Sequence, residues 1–406
     1  MPAGAATGRD PYFAGLAAAL HKAGVAQACL VIDRDRLDAN LAALATDLPE
    51  GMAYRIVVKS LPSLDLVRHV RARMGTDRLM TFNAAMLKTF ARAMPDANQL
   101  LGKPVPVAAA RDVLESLPKP ADGALSRIHW LIDTPERLAQ YAGLAETQGV
   151  DLRIALELDV GLHRGGFAPG ATLETAIRAV ASAQRLQLTG CVGYEPHLTK
   201  LPDADGWRAA ATKGAWSVYR EALATLDRVM GAGQSDRLIR NAGGSPTFRL
   251  YRDTEVANEL SVGSVLVKPS DFDTPELARY RPAAFIATPV LKTWPGVHAP
   301  GLEHRPGASG TSRLPPDPAA GRTIFLHGGN WLADPVDPPG LAYSKLFGRS
   351  SNQEMLTAPE DSRLATDDLV FLRPRQSEAV LLQFGGLIVV SGGEVVDVWP
   401  ALPASA

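Results

Sequence analysis

Four short segments hold side chains whose types and spacing suit chemistry on a small molecule. Lys59 closes the apolar run Tyr54-Arg55-Ile56-Val57-Val58. A lysine at the mouth of a buried strand loses hydration, which lowers its pKa and suits it to form an imine with a carbonyl. Position alone reads more readily as a lysine on a wet rim. The run Glu157-Leu158-Asp159-Val160-Gly161-Leu162-His163-Arg164-Gly165-Gly166 presents Arg164, a guanidinium able to donate to a phenolate or carboxylate. Val192-Gly193-Tyr194-Glu195-Pro196-His197 offers Tyr194 to stack or donate and His197 to shuttle a proton near neutral pH. Asn241-Ala242-Gly243-Gly244-Ser245-Pro246-Thr247 ends a strand in glycines, whose N–H groups can approach an anion, beside hydroxyl donors.

The elements that must position these residues alternate. The apolar runs 28–32, 55–58, 78–81, 98–101, 128–132, 152–158, 186–192 and 237–241 are separated by stretches with helical spacing. Short apolar strands alternating with helices predict a parallel sheet covered on both faces. Eight units predict a closed (β/α)8 TIM-type barrel, whose active site lies at the C-terminal strand ends and whose late units often hold phosphate. Lys59 then sits on an early strand, the Gly243–Ser245 cup on a late one, and Arg164 and His197 between. An imine-forming amine, a phosphate anchor and ring donors are the set that pyridoxal 5'-phosphate (PLP) requires.

From 273 onward the alternation stops. Strand-like runs at 283–291, 323–326, 368–372, 379–383, 387–390 and 394–398 predict a C-terminal all-β domain, with turns at 384–386 and 391–393. The Pro- and Gly-rich stretch 295–321 reads as a mobile loop. The expected division is an N-terminal segment 1–27 packing on the β-domain, a PLP-binding barrel 28–272 and a β-domain 273–406.

Bulk properties exclude several classes. Lys and Arg (42) balance Asp and Glu (43), leaving net charge -1 and no footprint for nucleic acid or an anionic membrane. No apolar run reaches the roughly 18 residues of a membrane span, and no signal peptide is visible before Asp10. Two cysteines, Cys29 and Cys191, both in apolar runs, predict buried thiols in a reducing cytoplasm.

At these residues the sequence resembles the fold-type III PLP enzymes, the alanine-racemase-like barrels, and within them the D-threonine aldolase and D-serine dehydratase subgroup. The segments carrying the resemblance are Arg55–Ser60, Arg78–Asn83, Gly102-Lys103-Pro104, Asp159–Gly166, Gly193–His197, Asn241–Thr247, Asn258–Ser264 and Glu394–Trp399. The resemblance implies that Lys59 carries PLP as a Schiff base and that Arg164 bonds its phenolic oxygen. It implies that Gly243, Gly244 and Ser245, with Asn241 beside them, hold the phosphate. Tyr194 would line the cofactor, and His197 would lie near the reacting carbons. A homodimer with the active site bordering both subunits is implied as well.

One departure is visible. The subgroup carries Pro-Asn-His-x-Cys or Pro-Asn-His-x-Asp near the C-terminus, a divalent-metal motif. Here the matching stretch is Pro374-Arg375-Gln376-Ser377-Glu378. Gln376 and Glu378 would suit only a hard ion such as Mg²⁺, Ca²⁺ or Mn²⁺, and weakly. His327, with Asp334 following, lies where substrate contacts are expected and could take over the hydroxyl's proton. The expected activity is a lyase on a β-hydroxy-α-amino acid of D configuration, by retro-aldol cleavage or dehydration, without a required metal. Two alternatives stand beside it. One is a racemase or epimerase using Lys59 and a partner tyrosine such as Tyr343. The other is a PLP-binding homeostasis protein with little turnover.

Overall fold

In the computed structural model, residues 8–117, 123–297, 301, 304, 306, 321–344 and 348–403 are described. Most of the expected loop 295–321 lies outside them. The chain divides into two units: Ala39–Leu266 with Thr274–Tyr280 and Leu402–Ala406, and Met1–Asp38 with Val267–Asp273 and Arg281–Ala401.

In chain order the elements begin with α1 (Pro11–Lys22), β1 (Cys29–Asp33) and α2 (Arg34–Asp47). The alternation then runs β2 (Ala53–Val57), α3 (Leu64–Met74), β3 (Arg78–Thr81), α4 (Ala84–Ala93), β4 (Asn98–Leu101) and α5 (Val107–Ser116). It continues with β5 (Ile128–Ile132), α6 (Pro135–Gln148), β6 (Leu152–Leu158), α7 (Ala171–Ser182), β7 (Leu186–Gly193), α8 (Trp207–Met230), β8 (Ile239–Ala242) and β9 (Glu259–Val262). Strands β2 to β9 pair in parallel order and close into a barrel, with β9 returning to β2 through Ala53↔Glu259 and Ile56↔Val262. The (β/α)8 expectation holds, but with a different set of eight strands. The run 28–32 is β1, which pairs with the second unit's sheet, and Glu259–Val262 is the eighth barrel strand.

Local sequence starts the helices where the barrel needs them. Ser63, Asn83 and Thr134 are extended residues whose side chains accept from the third N–H of α3, α4 and α6. Gly75 and Gly149, both left-handed, end α3 and α6.

The barrel interior contains a buried polar network. The Arg55 guanidinium is fully buried, and all five of its N–H groups are taken. They go to both Glu259 carboxylate oxygens (2.6 and 3.0 Å), the Leu79 and Asn98 carbonyls, and Asn98 Oδ1. Burial acts to raise the Glu259 pKa, but Arg55 and Arg78 outweigh it and hold the carboxyl below its ordinary value. Removing one partner of such a pair leaves an uncompensated charge, at a cost of about 3–5 kcal/mol. Asn98 Nδ2 meets His129 Nε2 at 2.9 Å, and His129 Nδ1 meets Thr189 Oγ1 at 2.8 Å.

The second unit is built on a mostly antiparallel nine-stranded sheet. Its later strands are β10 (Ala284–Pro295), β11 (Arg322–His327), β12 (Ala333–Asp337), β13 (Ala342–Tyr343) and β14 (Gln353–Ala358). After β15 (Leu369–Pro374) come the short helix α9 (Ser377–Val380), β16 (Gly386–Ser391) and β17 (Glu394–Pro400). Helix α1 buries Phe13, Leu16 and Leu20 in this unit's core, with the Phe13 ring 5.1 Å from Phe285 and 5.0 Å from Phe371. Burial of such side chains contributes about 1.5–3 kcal/mol each. The apolar run 379–383 is helical, not a strand. Strands β12, β13 and β14 were not visible in the apolar pattern.

Candidate active site

Because the eight barrel strands are parallel, their C-terminal ends share one face, and the exits of β2, β6, β7 and β8 there carry residues singled out in the sequence. Strand β2 runs straight into a single 3-10 turn, Val58–Ser60, which places Lys59 at the mouth. Lys59 Nζ lies 4.6 Å from the centre of the Phe82 ring at the exit of β3. Ser60 Oγ meets Ser264 Oγ, beyond β9, at 2.8 Å.

The anion cup forms where β8 and β9 end. Gly243 has φ +72°, a conformation suited to glycine. The turn after it closes on the Gly244 carbonyl, which accepts from the Thr247 and Phe248 N–H groups at 2.9 and 2.8 Å. Ser245 Oγ accepts from the Val265 N–H at 3.1 Å and is 3.4 Å from the Gly263 nitrogen, which leaves its own O–H free to donate to a ligand. Gly263 sits so close to β2 that a Cβ would lie 2.7 Å from the Val57 carbonyl oxygen. The cup thus has a second wall, Gly263-Ser264, that motif reading did not single out as a ligand site. Its signal was a glycine directly after the run Glu259–Val262. Asn241, expected as a cofactor contact, donates both amide hydrogens to Glu259 Oε1 (2.7 Å) and Ser261 Oγ (2.8 Å) and so braces the strand beneath the cup.

Tyr194 and His197 leave β7 beside the cup. The Tyr194 ring packs against Gly244, where a Cβ would come within 2.7 Å of Cε2. The Arg164 guanidinium lies 5.4 Å from the same ring and 3.6 Å from Glu157 Oε1. Burial raises the Glu157 pKa, against the pull of Arg164. His197 is half-buried against Gly161, and its Nδ1 is buried with no hydrogen-bond partner among the described residues. Burial, followed by the nearby His163, lowers the His197 pKa, while Asp159 opposes them. The imidazole is therefore neutral at neutral pH and able to accept a proton.

The remaining expected residues lie in the second unit. His327 ends β11 and is exposed; its carbonyl accepts from Thr288 Oγ1 at 2.7 Å. Gln376 Nε2 donates to Asp271 Oδ2 at 2.9 Å, and Glu378 Oε2 accepts from Ser377 Oγ at 3.0 Å. Arg375 and Asp334 form a two-pronged pair at 2.7 and 2.5 Å. Among the described residues no three His, Cys, Asp or Glu side chains group as metal ligands. Gln376 and Glu378 offer one amide and one carboxylate and no soft or imidazole ligand, a set unlike a transition-metal site. Tyr343 donates to the Ala333 carbonyl at 2.6 Å, and burial pushes its pKa up to about 12. Cys29 and Cys191 are free and buried. Among the described residues no helix is long and apolar enough to cross a membrane.

Comparison with known proteins agrees with this geometry. The family model described as "Alanine racemase, N-terminal domain" matches residues 32–271, more than half the chain. The 3-hydroxy-D-aspartate aldolase of Paracoccus denitrificans (strain Pd 1222) is 24% identical over 246 residues, 60% of this chain and 61% of the relative. The chain's match thus spans under two thirds of that relative. The fold is shared with D-threonine aldolase from Filomicrobium marinum (TM-score 0.72, 19% identity, 92% of this chain and 94% of that one). It is shared also with D-threo-3-hydroxyaspartate dehydratase from Delftia sp. HT23 (TM-score 0.71, 15% identity, 93% and 97%).

Proposed function

The chain belongs to the alanine racemase N-terminal domain family, and from that premise we propose that it is a PLP-dependent lyase acting on a β-hydroxy-α-amino acid of D configuration. One observation carries the reading. The amine of Lys59, past β2, and the cup at Ser245, past β8, are linked across the end of the intervening strand β9 through Ser60, Ser264 and Gly263. An amine and an anion cradle joined in this way fit a phosphorylated aldehyde. Relatives named as D-hydroxy-amino-acid aldolases and dehydratases point to the substrate class.

Bound PLP supplies an electron sink for the pair released when a bond to Cα breaks. The chain's own residues do the rest. The Lys59 amine would hold the cofactor through its carbonyl carbon. The Ser245 O–H and the N–H groups of Gly244 and Ser264 would hold the phosphate, with Gly243 turning the backbone beneath it. Arg164, 3.6 Å from Glu157 Oε1, would donate to the phenolic oxygen. Tyr194 walls the ring side of the cup. His197, neutral through burial, takes the proton of the substrate's β-hydroxyl, which is what Cα–Cβ cleavage requires. His327 is the second candidate proton carrier. No step is routed through a metal at Gln376 and Glu378, because the donor set does not fit one. We place the enzyme in the cytoplasm as a homodimer.

The test is a proton NMR time course in D₂O with purified protein, PLP and either D-threonine or D-serine, with and without chelator. Glycine plus an aldehyde establishes the aldolase, and a keto acid establishes the dehydratase. Deuterium entering Cα without cleavage overturns the lyase in favour of a racemase. Unchanged spectra of both substrates overturn the substrate class.

A further inference from the structure

A buried carboxyl sits directly behind the anion cup, and the chemistry above gives it no task. Glu195 lies in the segment leaving β7, between Tyr194 and His197, and its side chain has no exposed surface. Its Oε1 accepts from Thr247 Oγ1 at 2.7 Å, and its Oε2 accepts from Tyr219 OH at 3.1 Å. The Gly243 N–H also points at this carboxyl. Gly243 and Thr247 are the two ends of the cup, so one side chain ties both.

The surroundings are built to allow this tie. Tyr219, on α8, reaches Glu195 across Gly193, where a Cβ would lie 2.0 Å from the Tyr219 hydroxyl. Any larger residue there would push the tyrosine off the carboxyl. Tyr251 stands beside the same group and stacks on Trp216 with ring centres 4.7 Å apart. Thr247 is fully buried. Tyr194 meets the cup at Gly244. Two successive residues of one strand exit therefore contact the cup.

We infer that Glu195 is a positioning residue that sets the shape of the phosphate cup through Thr247 and Gly243. It touches neither substrate nor cofactor. Burial pushes its pKa up against the pull of its hydrogen bonds, which shifts the carboxyl toward its neutral form.

The inference rests on the PLP reading, and its test separates the two. PLP and pyridoxal, which lacks the phosphate, are titrated into the full-length protein and followed by absorbance, with a thermal melt of each variant. Thr247→Val removes the hydroxyl that holds Glu195 and keeps the side-chain volume; Thr247→Ser restores a hydroxyl. Thr247→Val should weaken PLP at least tenfold and leave pyridoxal within twofold of wild type. Thr247→Ser should recover most of the loss, and Glu195→Gln should weaken PLP in the same selective way. Equal weakening of PLP and pyridoxal, or no weakening of PLP, overturns the inference. If wild type forms no yellow complex with PLP, the cofactor reading fails instead. The cup is then judged by phosphorus NMR titration with inorganic phosphate, where unchanged affinity in Thr247→Val overturns the inference. If Glu195→Gln does not fold, the threonine pair decides alone.

Discussion

Acidification should destabilise the barrel through one imidazole. His129 is nearly fully buried at the start of β5, with Nε2 facing the Asn98 amide and Nδ1 facing Thr189 Oγ1. The orientation of Asn98 is fixed because its Oδ1 accepts from Arg55, so its NH₂ must point at His129. Nε2 is therefore an acceptor, and Nδ1 carries the one proton. Burial first, then the charges of Arg55 and Arg153, push the pKa down to about 3 from the ordinary 6.5. The folded-state pKa is depressed, so the unfolded chain takes up a proton first. Stability falls as pH drops below about 6.5 and stops falling near pH 3, where the folded ring is protonated too. At 1.36 kcal/mol per unit over about 3.5 units, the loss is on the order of 5 kcal/mol. The assay is urea unfolding of wild type and His129→Gln at half-unit steps from pH 7.5 to 4.5. Carboxylates titrate alike in both proteins, so the difference between the curves isolates the imidazole. That difference should change by about 1.4 kcal/mol per pH unit below 6.5. A constant difference across the range would refute the argument.

Two further outcomes follow from the site. Burial keeps His197 below the ordinary imidazole pKa, so the acid limb of kcat/KM should fall below pH 6.5. His197→Gln should abolish that limb and lower kcat by about 10²–10⁴-fold, as read by product formation across pH. Gly263→Ala would place its Cβ 2.7 Å from the Val57 carbonyl and 2.8 Å from Val57 Cβ. Fixed backbone cannot yield cheaply, so this variant should lose both melting temperature and PLP affinity. Gly214→Ala, where no atom lies within 4 Å of the added Cβ, should keep its PLP affinity.

Much of the fold was legible because its signals are local. Seven of the eight barrel strands show as apolar runs, and caps such as Ser63 and Asn83 mark the helices that follow them. Strand β9 was hidden because Glu259 and Ser261 face the interior network, so burial there does not read as hydrophobicity. Strand β1 looked like a barrel strand because a strand followed by a helix carries no mark of the sheet it joins. Its partners begin some 250 residues downstream, at β10. The run 379–383 shows the ambiguity of a short apolar stretch, which a helix and a strand can bury equally well. In the site, Lys59, Arg164, Tyr194, His197 and the Gly243–Ser245 turn stood out by type and place. Glu195 did not, because a carboxylate between Tyr and Pro reads as a wet loop charge. Only the fold brings Thr247 and Tyr219 onto it.

The central claim is that Lys59 carries PLP. The most direct measurement is borohydride reduction of the protein incubated with PLP, followed by peptide mass spectrometry. The account predicts one stable phosphopyridoxyl adduct, on the peptide containing Lys59, and its disappearance together with the yellow absorbance band in Lys59→Ala. An adduct on another lysine, or a yellow band that persists in Lys59→Ala, would contradict it.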